Sequence, residues 1–207
     1  MKAIICGHGP SMLQNLHGEL IDSYDVVIRQ KRCEETLKHP KQFGTRTDVV
    51  CGSWTIGSQL PVHMPGCKYW VFTDSRHEDV PDEDIQRARI EIPAEIRPWR
   101  CREWNQFYRD CRTPTMIWDR RQEHKATSDE YGHTHMSAGL HTLMYAGEFL
   151  HPNRVTLVGF DNVRSGTFTW SVTRGDGWQH YPDHRWDVER KLVPIMAQRY
   201  QMMVDYA

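Results

Sequence analysis

The chain has 207 residues, 39% of them hydrophobic and 11% aromatic, with a formal net charge of -1 and a mean hydropathy of -0.69. That is enough chain for one substantial domain under a very polar surface, and too little net charge to coat a nucleic acid through bulk electrostatics. No apolar stretch reaches the roughly 18 residues of a membrane span, and the six cysteines (Cys6, Cys33, Cys51, Cys67, Cys101, Cys111) contain no C-x-x-C pair, which fits reduced thiols in a cytoplasmic protein.

In chain order, residues 2–6 (Lys-Ala-Ile-Ile-Cys) form a short apolar run. Gly7, His8 and Pro10 interrupt it, so it is not the apolar core of a secretory signal. The run breaks into Gly7-His8-Gly9-Pro10-Ser11 and re-emerges with Leu13, Leu16, Leu20 and Ile21 on one helical face. A buried strand, a glycine turn and a helix start present backbone N–H groups to a phosphate or another anion. Gly7 and Gly9 would let the backbone approach it closely, with Ser11 as the N-cap. An ordinary strand-to-helix turn uses the same residue types.

Residues 25–29 read as a second buried strand ending in a charge. Gln30, Lys31 and Arg32 follow it, where an open parallel sheet places its ligand groups. Residues 48–51 read as a third strand, released into Gly52 and Ser53, and 69–73 as a fourth. Residues 74–96 are acidic and proline-punctuated, a pattern that predicts a surface connection and a short helix. Over 97–121, arginines (Arg97, Arg100, Arg102, Arg109) interleave with Trp99, Trp104, Phe107 and Tyr108. Arginine with stacking aromatics suits a polyanionic or single-stranded partner; an amphipathic helix packing its aromatics inward has the same composition.

Ser137-Ala138-Gly139 opens a helix that runs to about residue 150, followed by a strand over 153–161 with Gly159-Phe160-Asp161 at its carboxyl end. Residues 162–179 carry glycines, hydroxyl residues and aromatics, and a loop of that length is often a lid. His180-Tyr181-Pro182-Asp183-His184 leads into a last helix from about residue 185, which Pro194 is expected to kink. Among twelve histidines, His133/His135 and His180/His184 are the tight pairs. Pro182 sits inside the second pair and no zinc-protease motif is present, so no functional metal is expected.

These pieces, in this order, resemble the small bacterial sialyltransferases of glycosyltransferase family 42. Gly7-His8-Gly9-Pro10-Ser11-Met12 is similar to that family's Gly-Asn-Gly-Pro-Ser-Leu loop, and residues 25–31 to its Asp-Val-Phe-Arg-Cys-Asn strand end. Residues 136–139 look like its Thr-Ser-Gly helix start, and Gly159-Phe160-Asp161 like its Gly-Ile-Asp. His180-Tyr181-Pro182-Asp183-His184 matches its His-Tyr-Ile-Gly-His segment at identical spacing. The resemblance implies a single α/β domain over 1–207, Rossmann-like in a GT-A-type variant, with a mostly parallel central sheet flanked by helices and a lid over about 162–184. It implies an inverting, metal-independent transfer from a nucleotide-sugar, a CMP-sugar in that family, with no cofactor besides that co-substrate. His184 is then the general base, since a neutral imidazole accepts the acceptor hydroxyl's proton near physiological pH.

By the same resemblance Gly7, His8, Gly9, Pro10, Ser11, Ser53, Ser137, Ala138, Gly139 and Asp161 bind the donor. Arg100, Trp104 and His180 are the acceptor-side candidates. The sequence departs from the family where its donor-contacting asparagines become His8, Lys31 and Ser53. Its two phosphate-holding tyrosines fall on Val163 and Thr169, so Arg29, Lys31 or Arg164 is expected to stabilise the departing phosphate. The acceptor is a glycan or, on the strength of the arginine–aromatic stretch, a hydroxylated nucleic-acid base used with a different donor. A nucleotide-binding module that has lost catalysis is the alternative, and a homo-oligomer is left open.

Overall fold

The computed structural model describes residues 1–30, 33, 38–54, 64, 66–74, 95–99, 137–165 and 186–207. Its centre is β1 (Lys2–Cys6), where four of five residues are buried. An apolar run with no polar alternation is what a strand covered on both faces requires. β2 (Val26–Gln30) lies on one side of β1 and β6 (Arg154–Val158) on the other, both parallel to it, with Ile5 opposite Ile28 and Leu157. Beyond β2 come β3 (Val49–Trp54), β4 (Tyr69–Asp74) and β5 (Glu95–Trp99); beyond β6 comes β7 (Met203–Tyr206). The order is β5-β4-β3-β2-β1-β6-β7, and every pairing among the described residues is parallel.

Strand alternation sorts the side chains into two cores. Ala3, Ile5, Ile28, Val49 and Leu157 pack beneath α4 (Ala138–Tyr145) and α6 (Trp186–Arg199), which contribute Leu140, Leu143, Leu192 and Met196. On the opposite face Ile4, Cys6, Val27 and Val158 meet Met12, Ile21 and Phe43. Those three residues come from α1 (Ser11–Gln14), α2 (Gly18–Asp22) and α3 (Pro40–Phe43). The result is helix, sheet, helix in three layers. Each fully buried Ile or Leu contributes about 1.5–3 kcal/mol relative to exposure. Among the described residues, no helix is long and apolar enough to cross a membrane.

Three expectations are corrected here. The single helix expected after the glycine turn is two short ones, because Asn15 is extended and Gly18 lies against the Pro40 and Lys41 carbonyls, where a Cβ would overlap. This close approach of α2 to α3 buries Met12 and Ile21 but leaves Leu13, Leu16 and Leu20 exposed. β5 straddles 74–96, expected as a surface connection and short helix, and the arginine–aromatic stretch over 97–121, and its Glu-Ile-Arg-Pro-Trp sequence hides its strand character. Proline is confined to sheet edges, and β5 is the described edge. The lid expected from residue 162 begins instead as α5 (Asp161–Ser165), with Val163 in the core; the remainder, 166–184, lies outside the described residues.

Candidate functional site

The chain moves outward from β1 through β2 to β5, then crosses back to lay β6 on the other side of β1. The connections after β1 and after β6 therefore leave in opposite directions, and the crevice between them is where doubly wound sheets bind ligands. Two lips bound it here, and they differ in chemistry.

The first lip is two interlocked turns. The Gly7 N–H donates to the Val158 carbonyl at 2.8 Å and the Gly9 N–H to the Gly159 carbonyl at 2.8 Å. The Ser11 N–H donates to Asp161 Oδ2 at 3.0 Å. A Cβ on Gly7 would overlap the Gly159 carbonyl oxygen, and one on Gly9 would overlap the Asp161 carboxylate. Gly159 has φ +71 and packs on the Met12 side chain. These glycines bring two backbones into contact, and the three N–H groups expected to cradle an anion are engaged inside the protein. Pro10, not Ser11, holds the N-cap position, without a side-chain cap, and a four-residue helix has little dipole to offer an anion. His8 sits half-buried at the tip of the loop. Asp161, half-buried, keeps Oδ1 without a partner among the described residues.

The second lip is the start of α4, which lies over the carboxyl ends of β2 and β6. Ser137 is its N-cap, accepting from the Leu140 N–H at 3.3 Å. Its own N–H and hydroxyl donate to Glu189 of α6, at 2.7 and 2.6 Å. Ser137, expected to contact the donor, is thus buried with its hydroxyl held by Glu189. Glu189 is fully buried; burial pushes its carboxyl up to about 7, against the Ser137 hydrogen bonds that pull it down. Ala138 and Gly139 have the first free helix N–H groups, with no protein partner among the described residues. A Cβ on Gly139 would lie 2.6 Å from the Phe160 ring and 2.8 Å from Gln30 Nε2. The Phe160 ring also approaches Gly7, so it floors the crevice from one lip to the other.

Sequence reading missed Glu189 and the part played by the Phe160 ring, whereas Gln30 was expected where an open parallel sheet places its ligand groups. The available signal for Glu189 was a carboxylate set in the apolar stripe formed by Trp186, Val193 and Met196.

Arg29, expected to stabilise the leaving phosphate, faces the other core. Its Nε donates to the Arg46 carbonyl at 3.0 Å and to Thr47 Oγ1 at 2.9 Å, and Nη2 to the Phe43 carbonyl at 2.6 Å. Those partners precede β3, so the guanidinium runs toward the amino end of the sheet, away from the crevice, and holds the 43–47 turn. Asp22 grips the same turn through the Thr45 and Arg46 N–H groups; burial raises its carboxyl, but these bonds outweigh it and hold the pKa below normal. Ser53 lies in β3 in register with Thr73. Arg164 is exposed on α5. Lys31, Arg100, Trp104, Thr169, His180 and His184 lie outside the described residues. Among the described residues no cluster of His, Cys, Asp or Glu could hold a metal ion.

Solved structures share this fold. A mammalian sialyltransferase in complex with Gal-beta-1-3GalNAc-ortho-nitrophenol superposes with a TM-score of 0.52 at 16% identity, over 98% of this chain and 68% of that one. The chain has a sialyltransferase-like fold. A second mammalian sialyltransferase structure agrees, with a TM-score of 0.52, 14% identity and the same coverage. No family model matches the sequence, and no curated protein matches it. The family 42 assignment therefore rests on the motif resemblance alone, whereas the mammalian structures supply the fold.

Proposed function

We propose that this chain is a glycosyltransferase moving a sugar from a nucleotide-sugar donor to an acceptor hydroxyl. The observation that carries the proposal is the crevice at the switch between β1 and β6, floored by Phe160 and set in a sialyltransferase-like fold. A CMP-sugar is the donor that the motif resemblance favours, and the acceptor is a glycan, the class bound by the mammalian sialyltransferase. A second reading, a nucleotide-binding module without catalysis, shares the crevice but needs no base.

The reaction is one displacement. The acceptor oxygen attacks the anomeric carbon while its proton passes to a neutral imidazole, the bond from that carbon to phosphate oxygen breaks, and the nucleoside monophosphate leaves with the bonding pair. The configuration inverts, and no metal is required if donors from the protein meet the leaving phosphate. His184 is the proposed base. Glu189 supports this assignment, because it follows His184 by five positions and is anchored in the core at Ser137, fixing the helix that emerges from the His184 segment. The single domain, the GT-A-type classification, the lid over the remaining loop and a cytoplasmic, reducing setting belong to the same proposal. Cys6, Cys33, Cys51 and Cys67 are buried and not joined in disulfides, which supports that setting.

The test has two parts. CMP at 100 times its dissociation constant should stabilise the fold by about 2.7 kcal/mol in a thermal-shift assay run beside UDP and GDP. His184→Ala should keep that nucleotide response while CMP-sugar transfer to a glycan falls by about 10²–10⁴. Binding without turnover in the wild type would favour the non-catalytic module. Silence toward every nucleotide would remove the donor-site reading.

A further inference from the structure

We infer that Arg164, Arg190 and Tyr206 form a subsite for a negatively charged group on the acceptor, a carboxylate or a sulfate ester, so that the acceptor is an acidic glycan. The inference rests on the glycosyltransferase reading above and names its acceptor class. Three elements bring these residues together at the carboxyl end of the sheet. Tyr206 closes β7, opposite Leu157 of β6. Arg164 stands at the end of α5, the helix that leaves β6 at Asp161, and Arg190 in the second turn of α6. The two helices pack together over the core that holds Val163, Leu192 and Val193, and Tyr206 packs on that same core.

Burial raises the Tyr206 phenol above its ordinary pKa, while the Arg190 and Arg164 charges act on it in the opposite sense, so both guanidiniums stand near the phenol. The phenol is half-buried and both arginines are exposed. The carboxylates beside them in sequence are committed elsewhere: Asp161 to the Ser11 N–H, Glu189 to Ser137, and Asp205 to Arg154 and Thr156. Two cations and a hydroxyl donor are therefore grouped with no anion to pair them among the described residues. Guanidinium forks meet carboxylate and sulfate oxygens in charge-assisted hydrogen bonds, and a phenol adds one more donor. The cluster also stands apart from the donor lip. In the order β2-β1-β6-β7, Tyr206 is three strands from Gln30, the residue that touches the start of α4. That is roughly 14 Å at the usual strand spacing, so a phosphate at that lip is beyond these side chains. Arg190 follows His184, the proposed base for the acceptor hydroxyl, by six positions.

Isothermal titration of the CMP-saturated protein with lactose, 6′-sulfolactose and lactobionate tests this, because the two acidic sugars carry their charge at opposite ends of the disaccharide. The wild type should bind one of them at least about tenfold more tightly than lactose, the size of one charge-assisted hydrogen bond. That preference should shrink in about 0.5 M sodium chloride. Arg190→Gln should lose the preference while its response to CMP stays, and Tyr206→Phe, which keeps the ring in the core, should lose part of it. Indifference of the wild type to both acidic sugars overturns the inference, as does a preference that Arg190→Gln retains. Weakened CMP binding in Arg164→Gln would assign that guanidinium to the departing phosphate and overturn it too. If the wild type answers to no nucleotide, the donor reading itself fails, which is a different result from CMP binding with indifference to acceptor charge.

Discussion

The two lips of the crevice use similar-looking sequence for opposite ends. On the first, Gly7-His8-Gly9-Pro10-Ser11 has the composition of an anion cradle, yet its Gly7, Gly9 and Ser11 N–H groups are engaged with Val158, Gly159 and Asp161. On the second, Gly139 sits beside the Gln30 carboxamide and helix N–H groups that have no protein partner among the described residues. A glycine marks close approach, but it does not say whether protein or ligand approaches. The first lip is thus closed by the protein's own hydrogen bonds and the second is the one proposed to meet a ligand, and the two should respond differently to substitution.

The largest effect is expected at the first lip. Gly7→Ala sets a Cβ into the Gly159 carbonyl oxygen, a backbone atom that cannot rotate away. The β1 and β6 turns would have to separate, at a cost of more than about 4 kcal/mol, in the exceptional tail of point mutants. Denaturant titration with tryptophan fluorescence would read this as a collapse of the midpoint or as failure to fold. A shift under 1 kcal/mol would mean that the turns slide past each other and are not interlocked.

Glu189 comes next, because it ties the second lip to α6. Glu189→Ala removes both acceptors of Ser137 and leaves a cavity, so a loss of about 2–4 kcal/mol is expected. The carboxyl also gives a pH signature of definite sign. Below the ordinary value of 4.5 it is neutral folded and unfolded, and above about 7 it is ionised in both. Between those values the folded state alone holds the proton, so stability falls as pH rises through this window, by at most about 3 kcal/mol. Glu189→Gln should flatten that slope in urea titrations at pH 5, 6 and 7.5. A slope that survives in the variant would assign the proton to another group.

These two regions also show what could be read from residues alone. β1 to β4 and β6 were legible because parallel strands covered on both faces are unbroken apolar runs, as in Ala-Ile-Ile-Cys and Val-Thr-Leu-Val. β5 was not, since Pro98 and two charges mask a strand that only its edge position permits. The helix after Gly9 failed for a different reason. Leu13, Leu16 and Leu20 have helical spacing, but contact with α3 at Gly18 decides which residues are buried, and periodicity carries no information about that distant partner. Gly7, Gly9, Ser137 and Asp161, expected to bind a donor, border the crevice. Their hydrogen-bond partners lie up to 151 positions away, and local sequence cannot specify which acceptor an N–H will meet.

Asp161 makes a smaller test of the first lip. Asp161→Ala leaves the Ser11 N–H without its acceptor, at a cost of about 1 kcal/mol at this half-buried position. Asp161→Asn keeps an acceptor in place and should recover most of that loss. Equal destabilisation by both would point to the charge, and not the hydrogen bond, as the contribution to the turn.

The smallest effect on stability is expected from Gln30→Met, and its smallness is the informative part. Methionine keeps the length and flexibility that fill the space beside Gly139 and Phe160, and removes a carboxamide that has no protein partner among the described residues. The change in unfolding free energy should therefore stay within about 0.5 kcal/mol, as for substitutions that break no buried bond. The interlocked lip would then fail in unfolding experiments and the open lip only in binding ones. A loss above 1 kcal/mol for Gln30→Met would place the amide in the fold's own hydrogen-bond network and dissolve the contrast between the two lips.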